Sequence, residues 1–225
     1  MLEAKKNFLF EKFFVIYNRK LLKRRFGSIK VLGLKSLENK KPNLPLIIYA
    51  NHSSWWDGLV ILEVLSNFVF DRYVMMEEKQ LRKLRFFRRL GAFSVARDNP
   101  LEAVKSIKYS IKILTEKINR TLLLFPQGEI LHNDIRPLRF FNGLAKIIEQ
   151  TGNCLVCPLV IRYEFRGHFK PEIFITIGEL MAFEFVDKIV GKKVTNELEA
   201  VMTDYLDELK SKLINNNFDN FKKIL

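Results

Sequence analysis

The sequence predicts an α/β fold: a single domain whose central, mostly buried mixed sheet is flanked by helices, with an amphipathic helix ahead of it. Three observations carry that expectation. Residues 46–50, 121–125 and 155–163 are apolar nearly throughout, as strands covered on both faces must be. Segments of helical period alternate with them, the arrangement that wraps helices around a sheet. Hydrophobic residues form 48% of the 225 positions and aromatics 12%, with 20 Phe, which supplies a substantial core and excludes global disorder. The length fits one domain plus a terminal appendage, and the chain has no internal repeat or low-complexity linker.

In chain order, the first segment is a basic amphipathic helix. Phe8, Leu9, Phe10, Phe13, Phe14, Ile16, Tyr17, Leu21 and Leu22 recur at helical spacing among lysines and arginines. A Pro/Asn-rich joint follows at residues 39–45, so residues 1–40 read as an appendage and 41–225 as the main domain. Residues 46–50 form a strand, 58–70 a helix, 73–76 a second strand, 79–90 a basic helix and 92–96 a short strand. Residues 101–118 make an amphipathic helix with Val104, Ile107, Ile111 and Leu114 on one face. Strand 121–125, helix 143–150, strands 155–163 and 172–177 and a C-terminal helix at 196–213 complete the order. No apolar stretch approaches the roughly 20 residues that span a bilayer. Glu11 and Lys12 interrupt the first apolar segment, which excludes a cleavable signal.

The formal net charge is +13, and it is unevenly placed. Residues 1–45 hold twelve Lys/Arg against three Glu, and residues 79–97 hold seven with no acid. Cations interleaved with Phe and Leu in both patches suit an anionic membrane surface, where the apolar face enters the acyl boundary and the charges meet phosphates. Nucleic acid is the competing partner for such a charge, but no helix-turn-helix, zinc-finger or aromatic-platform spacing accompanies it. We therefore expect no nucleic acid partner and a peripheral protein at an anionic membrane surface.

Two cysteines, Cys154 and Cys157, exclude a disulfide scaffold. Three apart on a strand, they point to opposite faces as small core residues, and a zinc site would need ligands that are not nearby. His132 and His168 lie in polar loops and read as solvated. His52 differs, because it follows a buried strand at the edge where α/β sheets place ligands. Asp57 lies five residues on, where a turn into the next helix brings its carboxylate back to the ring. A carboxylate on one imidazole nitrogen fixes the tautomer, and the other nitrogen can then take a proton from a hydroxyl. By spacing alone, a packed or capping histidine is the competing reading. Ser53 and Ser54 lack a nucleophile-elbow context, so the attacking hydroxyl belongs to a substrate. Trp55 and Trp56 divide between a core position and an interface anchor.

Asn51-His52-Ser53-Ser54-Trp55-Trp56-Asp57 resembles the His-x4-Asp block of the glycerolipid acyltransferases, the lysophosphatidate acyltransferases and their relatives. Three further segments fall in that family's order. Gly91-Ala92-Phe93-Ser94-Val95-Ala96-Arg97 resembles its second block. Leu124-Phe125-Pro126-Gln127-Gly128-Glu129 resembles its third, Phe-Pro-Glu-Gly-Thr-Arg, and Val156-Cys157-Pro158-Leu159-Val160 its fourth. The resemblance implies transfer of a fatty acyl group from acyl-CoA or acyl-carrier protein, a co-substrate rather than a cofactor, to a lysophospholipid or other hydroxyl lipid, by a protein peripheral to the cytoplasmic face of the cell membrane. His52 would be the general base and Asp57 its orienting partner, with Arg97, Gln127, Gly128 and Glu129 binding substrate. In this reading Arg97 forks onto an acceptor phosphate, and backbone amides near Gly128 support the oxyanion. No metal and no cofactor are implied.

The departures lie in the phosphate-recognition half. The third block has Gln127 where the family has Glu, Glu129 for Thr and Ile130 for Arg, leaving Arg136 or Arg139 as replacements for the lost cation. Where lysines often precede a glycine, this chain reads Phe140-Phe141-Asn142-Gly143. The loss of charge at Gln127 favours a rival reading, a non-catalytic lipid-binding adaptor with the same fold.

Overall fold

The computed structural model describes residues 1–38, 44–184 and 191–225. The chain forms one α/β domain around a mixed sheet of nine strands among the described residues. In chain order these elements are α1 (Phe8–Arg25), β1 (Ser28–Leu32), α2 (Leu34–Glu38), β2 (Leu46–Ala50), α3 (Asp57–Leu65), β3 (Asp71–Glu77), α4 (Glu78–Lys83), a 3-10 helix (Arg85–Leu90) and β4 (Ala92–Val95). Then come α5 (Pro100–Glu116), β5 (Arg120–Leu124), α6 (Gly143–Thr151), β6 (Cys154–Glu164), β7 (Glu172–Ile177), β8 (Met181–Phe183), α7 (Gly191–Ile214) and β9 (Lys222–Lys223).

The sheet runs β4-β3-β5-β2-β6-β7-β1-β9, with β8 on β6. From β4 through β6 every neighbour is parallel, while β7 and β8 pair antiparallel to β6. Because β4, β3, β5 and β2 point the same way, the loops leaving their C-terminal ends share one sheet edge. Residues alternate between two cores. Ile47, Tyr49, Leu122 and Leu124 face α5, α6 and α7. Leu46, Ile48, Ala50 and Leu123 face α3 and the end of α1. Cys154 belongs to the first core and Cys157 to the second, as the two-residue period requires, and burial pushes both thiols up to about 12.

The main helices and strands fall within a few residues of their expected places, and two features differ. The appendage ends early: β1 pairs parallel with β7, so Ile29 and Val31 are core and the sheet begins inside residues 1–40. The Pro/Asn-rich joint lies largely outside the described residues. The basic helix expected at 79–90 is broken at Leu84 into α4 and the 3-10 helix. Leu81 and Leu90 are both buried, yet nine residues apart on one α-helix they would face opposite ways. The break lets both turn inward. Gly91 then leads into β4 at φ 99°, where a Cβ would meet the Arg72 carbonyl oxygen at 2.3 Å, so only glycine admits this close approach to β3.

No described helix is long and apolar enough to cross a membrane. α1 docks by Phe14, Asn18 and Leu22, packing on α3 and on Phe86 and Phe87. Its other face leaves Phe8, Leu9, Phe13, Ile16 and Tyr17 exposed.

Candidate active site

The His52 loop is held from below before any chemistry begins. Asn51 continues the line of β2 and pins to β6, its amide donating to the Ile161 carbonyl at 3.0 Å and its oxygen accepting from Ile161 N–H at 2.8 Å. His52 N–H donates to Gln127 Oε1 at 2.8 Å, and the His52 carbonyl accepts from Leu131 N–H at 2.8 Å. The His52 ring stacks on Phe125 at 4.3 Å between centroids. Backbone and ring are thus both fixed by the loop after β5.

Asp57 is the first residue of α3 and is 0% exposed. Its Oδ2 accepts from His52 Nδ1–H at 2.8 Å, Ser53 N–H at 2.7 Å and Ser54 N–H at 2.9 Å. These amides and the positive end of α3 satisfy a carboxylate that burial would otherwise penalise. The five-residue spacing makes this possible, because the chain closes a turn and the helix begins at the carboxylate. With Nδ1 donating, Nε2 is the ring nitrogen left to accept a proton. Tyr163 on β6 completes the set, its O–H donating to Asp57 Oδ1 at 2.6 Å. Burial, then the neighbouring carboxylate, pushes the Tyr163 hydroxyl far above its ordinary range, so it remains a donor. Nothing in the sequence near His52 announces this tyrosine, which lies 106 positions beyond Asp57.

His52 opens onto a cavity of about 680 Å³. Its walls come from both faces of β3, Val74 and Met76 on one and Tyr73 and Met75 on the other, and continue along Leu59, Leu62, Ile107 and Ile147. The polar groups collect at the shared strand edge: Glu77 ends β3, Arg97 follows β4, and Gly128 and Glu129 follow β5. Arg97 Nη2 lies 3.6 Å from Glu77 Oε1, and its guanidinium centre is 6.0 Å from the Phe141 ring centroid. Gly128, at φ 72°, leaves the room that Arg97 and Phe141 fill, since a Cβ there would lie 2.9 Å from Arg97 Nη1.

The structure thus brings together His52, Asp57, Arg97, Gly128 and Glu129, and gives Gln127 a different place. Gln127 is 3% exposed and does not line the cavity; its Oε1 accepts from the His52 backbone N–H. The Gly128 N–H donates to the Phe125 carbonyl at 3.0 Å, so that amide serves the turn and not an oxyanion. Arg136 pairs with Asp207 on α7 and donates to the Asn133 and Ile135 carbonyls, and neither it nor Arg139 lines the cavity. The cation missing at Ile130 is therefore not replaced from that loop. Trp55 is exposed at the cavity wall while Trp56 packs edge-on against Phe26. His132 and His168 are exposed.

A family model described as Acyltransferase matches residues 29–162, more than half of the chain and inclusive of His52, Asp57, Arg97 and Gly128. No curated protein matches this chain.

Proposed function

The chain belongs to this acyltransferase family, and from that premise we propose that it moves a fatty acyl group from the thioester of acyl-CoA or acyl-carrier protein to the hydroxyl of a lysophospholipid or other hydroxyl lipid at a membrane surface. One observation carries the reading: an imidazole whose Nδ1 is held by a buried carboxylate stands at the mouth of a large apolar cavity. His52 Nε2 takes the proton of the acceptor hydroxyl as its oxygen attacks the thioester carbonyl. The tetrahedral oxyanion collapses, the carbon–sulfur bond breaks, and the departing thiolate recovers the proton from Nε2. Asp57 offsets the charge on the imidazolium between these steps. A thiolate leaves readily, so positioning and base catalysis suffice without an acyl-enzyme.

Membrane association rests on α1. Phe8, Leu9, Phe13, Ile16 and Tyr17 are exposed in its first half, and Lys20, Lys23, Arg24 and Arg25 follow in its second. That order suits a helix whose apolar half enters the acyl boundary while its cations stay at the phosphates. The adaptor reading drew on the missing charge at position 127. The contact made there is a hydrogen bond to a backbone N–H, which an amide oxygen accepts as a carboxylate does.

The test is release of thiol from acyl-CoA with transfer of label to an extracted lysolipid. His52→Ala is expected to lower turnover on the order of 10²–10⁴-fold with the circular dichroism unchanged. Retention of more than a tenth of the rate removes the base assignment, and absence of any transfer across a broad acceptor panel returns the adaptor reading.

A further inference from the structure

The charges at the cavity mouth specify more than a hydroxyl. Beside His52 the cavity lining carries five charged side chains: Arg72, Glu77, Arg97, Glu129 and Lys146. Arg72 sits near the start of β3, at the far end of the strand from Glu77, where Glu11 takes its guanidinium at 2.6 Å, which leaves the other four. Two are acids and two are bases. Arg97, the cation nearest the Gly128 turn, already faces the Glu77 carboxylate at 3.6 Å. A phosphate monoester brought here would gain Lys146 but would meet two carboxylates, each repelling it, and would compete with Glu77 for the Arg97 guanidinium. Beyond Arg97, this group holds one other cation, Lys146 on α6, while Ile130, Phe141 and Asn142 line the rim near Gly128 and Gly143 without adding any.

The same set is well made for uncharged hydroxyl groups. Carboxylates are acceptor-only and take hydrogens from alcohols, while Arg97 and the Asn142 and Gln80 amides donate to alcohol oxygens. Phe141 at 56% and Trp55 at 52% exposure present aromatic surface beside these polar groups. Flat rings next to acceptor carboxylates suit a saturated ring that carries apolar C–H faces and a rim of hydroxyls. We infer that the acceptor carries a neutral, polyhydroxylated head group of the sugar type on a lipid tail, selected by Glu77, Arg97 and Glu129. This inference rests on the acyl-transfer reading for its reaction, and on the mouth alone for its ligand.

Two probes sharing one tail, dodecyl β-glucoside and dodecyl phosphate, test it with the full chain below their micelle concentrations. Calorimetric titration should give the glucoside an affinity at least tenfold higher. Glu77→Gln with Glu129→Gln should weaken the glucoside at least fivefold and strengthen the phosphate, which uptake on the exposed face of α1 would not reproduce. If the double variant loses its circular dichroism signature, Glu129→Gln alone, at an exposed position, carries the comparison. Tighter phosphate binding by the unaltered protein, or a ratio that the substitutions leave unchanged, overturns the inference. A turnover arm separates it from the activity. Thiol release with lysophosphatidate but not with the glucoside overturns the head-group assignment and keeps acyl transfer. Release with neither, with glucoside binding intact, removes acyl transfer and keeps the site.

Discussion

The Tyr163 hydroxyl donates to Oδ1 of Asp57 at 2.6 Å while His52 Nδ1 occupies Oδ2 at 2.8 Å, so the carboxylate is held from both sides. Tyr163 touches Asp57 and not the imidazole, and acts by positioning. Its removal leaves Oδ1 buried without its donor, a penalty of about 1–3 kcal/mol, part of which the carboxylate passes on as a stronger pull on the imidazole proton.

Tyr163→Phe is therefore expected to lower kcat roughly tenfold with KM little changed. A less stabilised carboxylate favours the imidazolium, so the acid limb of the kcat/KM profile should move to higher pH. A purely structural role would lower Tm and leave that limb in place. The pH profile of the variant decides between them.

Gln127 can be tested by what accepts the His52 amide proton. Gln127→Leu orphans a buried N–H and is expected to lower both Tm and kcat/KM, the rate by about tenfold or more. Gln127→Glu keeps an acceptor and should stay within about threefold of the unaltered protein. Equal activity in the leucine variant would show that the loop holds His52 without this bond.

The α1–α3 contact contains a liability. Glu63 is buried on α3 with Arg19 at 3.6 Å, and among the described residues its Oε2 and the Oδ1 of Asn18 find no donor. Burial raises the Glu63 carboxyl above its ordinary 4.5, against the pull of Arg19 and Lys23. The folded state then binds this proton more tightly than the unfolded chain. Stability from it is present at low pH and is lost as pH rises through the raised value. Glu63→Gln is expected to raise Tm by about 2 °C near pH 8, with the difference shrinking toward about pH 4.5. A pH-independent difference would refute this account.

Membrane binding through α1 predicts an effect confined to partitioning. Phe8→Ser with Phe13→Ser removes two exposed rings that make no part of the buried core, so Tm should hold. Affinity for anionic vesicles should fall roughly 10- to 100-fold, allowing for partial burial of each ring at the interface. Sedimentation with vesicles at physiological salt measures it, and unchanged binding would place the contact elsewhere.

What the sequence determined by itself is what short-range geometry controls. The apolar runs make strands, and Asn99-Pro100 caps and opens α5, the Asn99 side chain accepting from Leu101 and Glu102 N–H. The five-residue spacing of His52 and Asp57 closes within one turn and a helix start, so the dyad was legible. Two cysteines three apart fell on opposite faces for the same reason. The tertiary structure decided everything that depends on strand register and on which side chain the packing turns inward. It placed β1 in the sheet by pairing with β7, broke residues 79–90 to bury Leu81 and Leu90 together, and sent Arg136 to Asp207. It set Tyr163 of β6 against Asp57 at the start of α3, and Glu77 at the end of β3 against Arg97 just past β4, two pairs fixed by the assembled sheet rather than by spacing. Contacts of that kind form only when the sheet assembles, because a hydrogen bond or ion pair across strands needs the whole core to hold its partners in reach.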